Sequence, residues 1–247
     1  MDVEDILAFF ERTTEKFISK DEFASKLHSG KKLRIKYDLD VKSPGLHIGH
    51  AVNLWLLRCL QDAGHKAVIV FSDFTSNISG HDGRLAAISD IPPEEIKKHI
   101  DDITQQLKTI LLSDAGLLEI RRNSEWYSEM SVKDMLGLFS LVTHAKLISR
   151  DAFQIRIAEG KEIHINEMIY PILQGYDSYM AQSDIAILGS DQLFNESMGR
   201  LIQEKHHNKP QTIIITSTTP GIDGRQKQSH RRKGRHRATT RRSSTSV

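Results

Sequence analysis

Short apolar runs alternate along the chain with longer stretches in which apolar residues recur every three or four positions. Apolar and polar residues alternate over Leu33–Tyr37, as expected for a strand, and Ala67–Phe71 is short and β-branched, which is typical of a buried parallel strand. Ile185–Leu188 and Thr212–Thr216 have the same strand character. We therefore predict four strands with helical segments between them.

The helical segments carry recognisable start and stop signals. Ser19–Glu22 has the spacing of a capping box and opens a short helix that Gly30 ends. A second helix follows His47, a third begins at Pro93, and a further helical region runs from about residue 132 to residue 148. Helices of this length between short strands predict an α/β fold with a doubly wound parallel sheet.

Composition narrows the class of protein. The chain has 247 residues, of which 38 % are apolar and 27 % charged, so a buried core is expected. The longest uninterrupted apolar runs are far too short to span a membrane, and the acidic start is not a secretion signal. The single cysteine, Cys59, excludes a disulfide framework. These features predict a soluble, cytoplasmic protein that is not associated with membranes.

The net charge of +2 conceals a strong asymmetry. Residues 225–247 contain nine of the 34 Lys and Arg residues and no acidic residue, so residues 1–224 hold 25 basic and 32 acidic side chains, a net charge of −7. We predict that this basic tail is disordered. Two interpretations stay open: the tail is a truncated or out-of-frame end, or it is a genuine arm that binds RNA phosphates.

The most informative motif is His47-Ile-Gly-His50, which comes after a predicted strand and opens a helix. A helix N-terminus attracts phosphate, and Gly49 leaves room for a base or ribose against the backbone. Two imidazoles one turn apart can donate hydrogen bonds to a phosphoryl group during transfer. In the alternative interpretation, His47 caps a turn and His50 packs on the helix surface.

At this motif the sequence resembles the class I aminoacyl-tRNA synthetases, and more closely the tyrosyl-tRNA synthetases. The similarity covers roughly residues 19–227 and is carried by several independent segments. These are 33–50, 64–75, 122–126, 169–177 and 189–192, together with Phe194-Asn195 and Gly199-Arg200.

The resemblance implies a domain organisation. Residues 1–30 form N-terminal helices, and residues 31–224 form the catalytic domain with a Rossmann-like sheet. A helical insertion at about 117–165 forms the homodimer contact in this family. Apolar residues surround one helix of that insertion, as expected if the core covers one side and a partner the other; burial within one chain is the alternative. They are Met135, Leu136, Leu138, Phe139, Leu141 and Val142.

The resemblance also implies a tyrosine site. Asp177 would accept the phenol hydrogen bond, while Tyr170 and Gln174, on the same face of one helix, would bind the α-ammonium group. Lys36 and Gln192 would complete this site, and Lys36 stands where most of the family has tyrosine. A polar helix face turned to water is the alternative for the helical residues.

Similarity further implies an ATP site whose Mg²⁺ accompanies the nucleotide, with no metal site built by the protein. His47, His50 and Lys227 would be catalytic, and an exposed loop acid is the alternative for Asp40. The ATP-binding residues would be Asp40, His47, Gly49, His50, Asp191 and Lys227. Asn123 and Trp126 would shape the pocket, and a place in the core is the alternative for Trp126.

Two departures from the family pattern affect these expectations. Gly80 stands where the family has an aspartate that binds the ammonium group, with Asp82 two residues later as a substitute. The second signature, Lys-Met-Ser-Lys-Ser, is replaced by Lys227-Gln-Ser-His-Arg231, which retains only the first lysine and the serine. The lost lysine would otherwise stabilise the ATP phosphates in the transition state.

The resulting prediction is a tyrosine–tRNA ligase that uses ATP to form tyrosyl-adenylate and transfers tyrosine to tRNA. The altered second signature and Gly80 support one alternative, a catalytically impaired fragment or an RNA-binding paralogue. A tryptophan-specific relative is a second alternative, opposed by Asp177 and Gln174. A small-molecule nucleotidyltransferase would share the His-x-Gly-His helix but would not explain the tyrosine segment.

Overall fold

The computed structural model describes residues 2–78 and 91–216, which form a six-stranded sheet with helices packed against it. The strands are β1 Thr14–Ile18, β2 Arg34–Leu39, β3 Lys66–Phe71, β4 Leu118–Arg122, β5 Ile185–Gly189 and β6 Thr212–Thr216. The first helices are α1 Val3–Thr13, α2 Lys20–His28, α3 Ile48–Asp62, α4 Pro93–Leu107 and α5 Ser124–Tyr127. The others are α6 Val132–Ser140, α7 His144–Ile148, α8 Asp151–Ala158, α9 Ile165–Met180 and α10 Leu193–Lys205.

The strand order across the sheet is β1-β6-β5-β2-β3-β4. Strands β6, β5, β2, β3 and β4 are parallel, and β1 pairs antiparallel with β6 at one edge. The predicted doubly wound α/β sheet is therefore confirmed, with the correction that it is mixed at β1.

The two edge strands were missed because neither has the pattern of a buried strand. β1 is half-exposed and lies in the segment 1–30, for which only helices are predicted. β4, with the sequence Leu-Glu-Ile-Arg-Arg, lies inside the predicted insertion 117–165 and pairs with β3 over its whole length. The helical part of that segment begins only at Ser124.

Alternate side chains of the central strand β3 pack into two separate hydrophobic cores, one on each face of the sheet. Ala67, Ile69 and Phe71 pack with α1, α3 and α4 on one face of the sheet. Val68 and Val70 pack with α9 and α10 on the other. Because β3 is covered on both faces, nearly every side chain along it is buried, as the apolar run predicted.

The predicted helix boundaries are largely confirmed for α3, for α4 and for the helical region 132–148, whereas the expectation for Ser19 is wrong. Ser19 has a left-handed backbone with φ +67° and makes no side-chain cap, so the predicted capping box does not form. The helical region 132–148 is divided into α6 and α7. None of the described helices is long and apolar enough to cross a membrane.

Candidate functional site

The strand order creates a crevice at the carboxyl ends of β2 and β5. These two strands are neighbours in the sheet, yet the chain continues from β2 to β3 on one side and from β5 to β6 on the other. Ligands bind at such a switch point in open α/β sheets. Asp40 and His47 follow β2, and Asp191 lies in the short turn after β5. The fold thus brings the described part of the predicted ATP site to one edge.

His47 and His50 form a reciprocal cap at the start of α3. The backbone N–H of Gly49 donates to His47 Nδ1 at 3.1 Å, and the backbone N–H of His47 donates to His50 Nδ1 at 3.0 Å. The two rings stack with their centroids 3.8 Å apart. The capping role that was one alternative for His47 is therefore confirmed.

This cap also fixes which ring nitrogen carries the proton. Because each Nδ1 accepts a backbone N–H, the neutral ring of each histidine carries its proton on Nε2. A Cβ on Gly49 would lie 2.9 Å from His47 Cε1, so glycine here leaves room for the capping ring itself. The motif can thus cap a helix through Nδ1 and supply two stacked N–H donors through Nε2.

Asp40 and Asp191 are both exposed. Asp40 Oδ1 accepts hydrogen bonds from the backbone of Lys42 and from Ser76 Oγ, each at 2.9 Å. Asp191 Oδ2 accepts from Gln192 Nε2 at 2.8 Å. Both carboxylates are held in place while their side chains reach solvent, as a group that contacts a ribose requires.

Asp177 lies deep beneath the crevice on α9 and is 1 % exposed. Its Oδ1 accepts from Trp126 Nε1 at 2.9 Å, and its Oδ2 accepts from Asn123 Nδ2 at 3.2 Å. Burial raises the pKa of Asp177 to about 7, and the nearby Lys36 opposes that shift. The predicted alternative of a water-facing polar surface is therefore wrong for Asp177. Asn123 and Trp126 contact it there, Trp126 also lies in the core, and a role of the two residues in shaping a pocket stays a prediction.

Gln174 lies one turn before Asp177 and is fully engaged by neighbouring side chains. Its Nε2 donates to Asp38 and Glu196, and its Oε1 accepts from Asn195 Nδ2 at 2.8 Å. Tyr170, a further turn earlier, is half-buried. Gln174 is thus buried rather than facing water, and its amide connects three polar side chains.

Lys36 is 1 % exposed and is held by protein groups on several sides. Its Nζ lies 2.7 Å from Asp38 Oδ2 and 2.9 Å from Glu196 Oε1, and it donates to Ser178 Oγ at 2.8 Å. Burial lowers the pKa of Lys36, but the neighbouring carboxylates raise it more, so the group stays charged. The ion pairs account for this side chain without a ligand, and direct contact with tyrosine stays a prediction.

Two carboxyl groups of this cluster, Asp38 and Glu196, were not predicted as site residues. Burial raises the pKa of Asp38 well above its usual range, whereas Lys36 and the hydrogen bonds to Glu196 hold the pKa of Glu196 below its usual range. One signal was present in the sequence. Lys36 and Asp38 are charged residues two apart within a strand expected to be buried, so both must point to the same face.

Several predicted site features lie outside the described residues. They are Lys227 with the altered second signature, Gly80, Asp82 and the basic tail 225–247.

A family model described as class I tRNA synthetases (W and Y) matches residues 29–236. The chain belongs to this family. The class I synthetase fold and the His-x-Gly-His motif are therefore found together in a family member, as the sequence predicted. Tryptophan and tyrosine enzymes share this model, so the amino acid is a separate question.

Curated relatives in this family are named for tyrosine. The chain is 39 % identical over 210 residues to tyrosine–tRNA ligase 2 of Photorhabdus laumondii, a match that covers 85 % of this chain and 52 % of the relative. It is 38 % identical to the tyrosine–tRNA ligase of Idiomarina loihiensis, covering 92 % of this chain and 56 % of the relative. The chain thus spans about half the length of these relatives.

Solved structures support the same fold. A C-terminally truncated mitochondrial tyrosyl-tRNA synthetase of Coccidioides posadasii superposes with a TM-score of 0.73 at 22 % identity, covering 90 % of this chain and 69 % of the other. The tyrosyl-tRNA synthetase of Aeropyrum pernix gives the same TM-score at 19 % identity, covering 94 % of this chain and 67 % of the other. At these identities the likeness concerns the fold of the family.

Proposed function

We propose that the chain provides the tyrosine-activating site of a tyrosine–tRNA ligase, in which tyrosine and ATP form tyrosyl-adenylate and pyrophosphate before transfer to tRNA. The observation that carries this proposal is the buried Asp177, held by Trp126 and Asn123 beneath the crevice. Each carboxylate oxygen of Asp177 accepts one of these two hydrogen bonds and retains a second lone pair, so Asp177 can also accept a hydrogen bond from a phenol. The names of the curated relatives support the same amino acid.

Activation needs positioning and charge stabilisation more than proton transfer. The tyrosine carboxylate is already a nucleophile at neutral pH and attacks the α-phosphorus of ATP as pyrophosphate leaves. The Nε2–H groups of His47 and His50 would donate hydrogen bonds to the phosphate oxygens as negative charge shifts toward pyrophosphate. Asp40 and Asp191 would contact the ribose, and Lys227 would assist the phosphates.

Mg²⁺ is assigned to the ATP substrate. Within residues 2–78 and 91–216, no three His, Cys, Asp or Glu side chains are grouped so that they could hold a metal ion. A Mg²⁺ ion bound mainly by nucleotide phosphates and water needs no such group.

We extend the proposal to a homodimer through α6. Leu138 and Val142 point into the core, while Val132 and Leu136 are 77 % and 62 % exposed on the same short segment. Two large apolar side chains four residues apart form an exposed stripe that a partner could cover. The presence of buried apolar side chains on one side and exposed ones on the other supports the expectation that the core covers one side of this helix and a partner the other. Cytoplasmic location stays a prediction.

Amino-acid binding tests the proposed function. Titration calorimetry should show tyrosine binding roughly tenfold or more tighter than phenylalanine, because phenylalanine leaves the buried Asp177 without its phenol donor. Asp177→Asn should remove most of this preference, whereas Asp62→Asn, which changes an exposed carboxylate paired with Arg58, should preserve it. Equal affinities for tyrosine and phenylalanine in the unchanged chain would contradict the proposal.

A further inference from the structure

Two buried acceptor atoms on either side of Gln174 have no hydrogen-bond donor. They are Asp38 Oδ1 and Asn195 Oδ1. The other oxygen of Asp38 accepts from Gln174 Nε2 at 3.2 Å, and Asn195 Nδ2 donates to Gln174 Oε1 at 2.8 Å. Asn195 is 2 % exposed, so its unpaired oxygen lacks solvent as well as a protein donor. Unpaired buried acceptors of this kind are costly and call for a donor from a ligand or water.

The other carboxylates of the cluster already have donors on both oxygens. Glu196 Oε1 accepts from Lys36 and Gln174, and Glu196 Oε2 accepts from Ser178 and Gln211. Both oxygens of Asp177 are bound by Asn123 and Trp126. Asp38 Oδ1 is therefore the carboxylate oxygen of this cluster that lacks a donor.

The charges around Asp38 are also unbalanced. Three carboxyl groups, Asp38, Asp177 and Glu196, surround the single ammonium group of Lys36. Burial raises the pKa of Asp38 well above its usual range, an effect that Lys36 opposes and Glu196 reinforces. A ligand cation at Asp38 would offset the excess of carboxyl groups and lower this pKa again.

Asp38 lies between the buried part of β2 and the exposed residue that follows the strand. Lys36 is 1 % and Asp38 17 % exposed, and Asp40 is exposed at the crevice. Two residues of strand advance about 6.6 Å, comparable with the separation of hydroxyl and amine in tyrosine. With its phenol at Asp177, near Lys36, a tyrosine pointing toward the crevice would bring its amine to the level of Asp38.

We propose that Asp38 binds the ammonium group of the amino-acid substrate through its unpaired Oδ1, with Gln174 and Asn195 as positioning residues. This assignment rests on the proposed function. Similarity implies a direct ammonium contact for Gln174; its amide also bonds to Asp38, Glu196 and Asn195, and through these contacts it positions Asp38.

Two ligands that differ only by an ammonium group provide the test. Tyramine and 4-ethylphenol share the phenol, so the ratio of their affinities measures recognition of the ammonium group. Calorimetry on the full 247-residue chain should show tyramine binding roughly tenfold or more tighter. Asp38→Asn should remove most of this ratio while leaving the affinity for 4-ethylphenol unchanged, and Asp38→Glu should restore part of it.

Glu119→Gln is the matched control. Glu119 also forms partly buried ion pairs, with Arg34 and Lys66, but it lies away from the Asp38 cluster. It should keep the wild-type ratio. If tyrosine binds but Asp38→Asn leaves the ratio unchanged, or weakens both phenols equally, the assignment of Asp38 is wrong and the proposed function stands. If the unchanged chain binds neither tyrosine nor tyramine, the proposed function is wrong, and the assignment of Asp38 is overturned with it.

A second measurement needs no variant and therefore does not depend on folding of Asp38→Asn. Over the pH range in which Asp38 titrates, tyramine should release more protons on binding than 4-ethylphenol, because the ammonium group lowers the raised pKa of Asp38. Lys36, Glu196 and Asp177 also face Asp38, but Asp177 meets the phenol of both ligands, so its contribution cancels in the difference. Equal proton release, measured in buffers of different ionisation enthalpy, would overturn the assignment.

Discussion

The two halves of the candidate site are built in opposite ways. At the proposed phosphate side, His47 and His50 lie three residues apart, half-buried at a helix start, and their Nδ1 atoms accept hydrogen bonds from backbone N–H groups. At the proposed amino-acid side, Lys36 and Glu196 are 160 residues apart in the sequence, almost fully buried, and form an ion pair with each other. The first half is a local motif that points outward, and the second is a long-range network that points inward.

This difference determines what each half is sensitive to. A short capping motif depends on its own turn of helix, so a substitution there should remove function and leave the core intact. A buried ion network depends on every partner, because removal of one charge leaves the others unpaired in a medium of low dielectric. We therefore expect stability changes from the buried half and activity changes from the histidine half.

The largest stability effect should come from Lys36→Met. Removing this ammonium leaves Glu196 and Asp38 without their buried counter-ion, which should lower the free energy of unfolding by about 3–5 kcal/mol. Urea denaturation measures this loss. The double variant Lys36→Met with Glu196→Leu should recover much of it, and Lys20→Met, at an exposed pair with Glu11, should leave the urea midpoint unchanged. A Lys36→Met chain as stable as wild type would refute the buried network.

His50→Ala should have the largest effect on activity. Losing one Nε2–H donor should lower tyrosine-dependent ATP–pyrophosphate exchange roughly 100- to 1000-fold, while the loss of one cap costs only about 1 kcal/mol of stability. His28→Ala, which alters an exposed histidine beside Glu4, is the control and should retain full exchange. Unchanged exchange in His50→Ala would place the phosphate site elsewhere.

Asp177 should make the stability of the chain depend on pH. Its pKa of about 7 in the folded chain exceeds the ordinary value of 3.8, so folding retains a proton that the unfolded chain releases. This contribution is complete below pH 4 and is lost as the pH rises through 7. Between pH 5 and 8, the unfolding free energy of wild type should therefore fall by about 2–3 kcal/mol more than that of Asp177→Asn. Parallel curves for the two proteins would contradict the assigned shift.

A smaller effect is expected from Trp126→Phe. The ring is retained, but the Nε1–H donor to Asp177 Oδ1 is lost, which should cost about 1–2 kcal/mol at pH 8 and raise the pKa of Asp177 further. Chemical denaturation checks the first expectation and carboxyl NMR the second. Trp55→Phe, at a side chain that is 57 % exposed, should change neither.

Much of the fold was predictable because its central elements carry local signals. These signals act within a few residues. They are the apolar runs of β3, β5 and β6, the two prolines at the start of α4, and the glycine after α2. The edge strands β1 and β4 lack such runs, since their pairing with β6 and β3 comes from tertiary contacts.

The candidate site also has a part that local sequence signals predict and a part that depends on tertiary contacts. The cap formed by His47 was among the interpretations of the sequence, whereas the part that His50 takes in it was not. The roles of Asp38 and Glu196 were not predicted, since their partners come from β2, α9 and α10 and depend on the packing of distant segments. A lysine and an aspartate two apart in a buried strand were the only local sign of that network.

The most direct test of the account is ATP–pyrophosphate exchange by the purified chain with each of the twenty amino acids. We predict exchange that tyrosine alone stimulates, because in the proposed function Asp177 would accept the phenol hydrogen bond and the two histidines would donate to the phosphates. Exchange stimulated by another amino acid, or by none of the twenty in a folded chain, would contradict the claim that these two halves form one tyrosine-activating site.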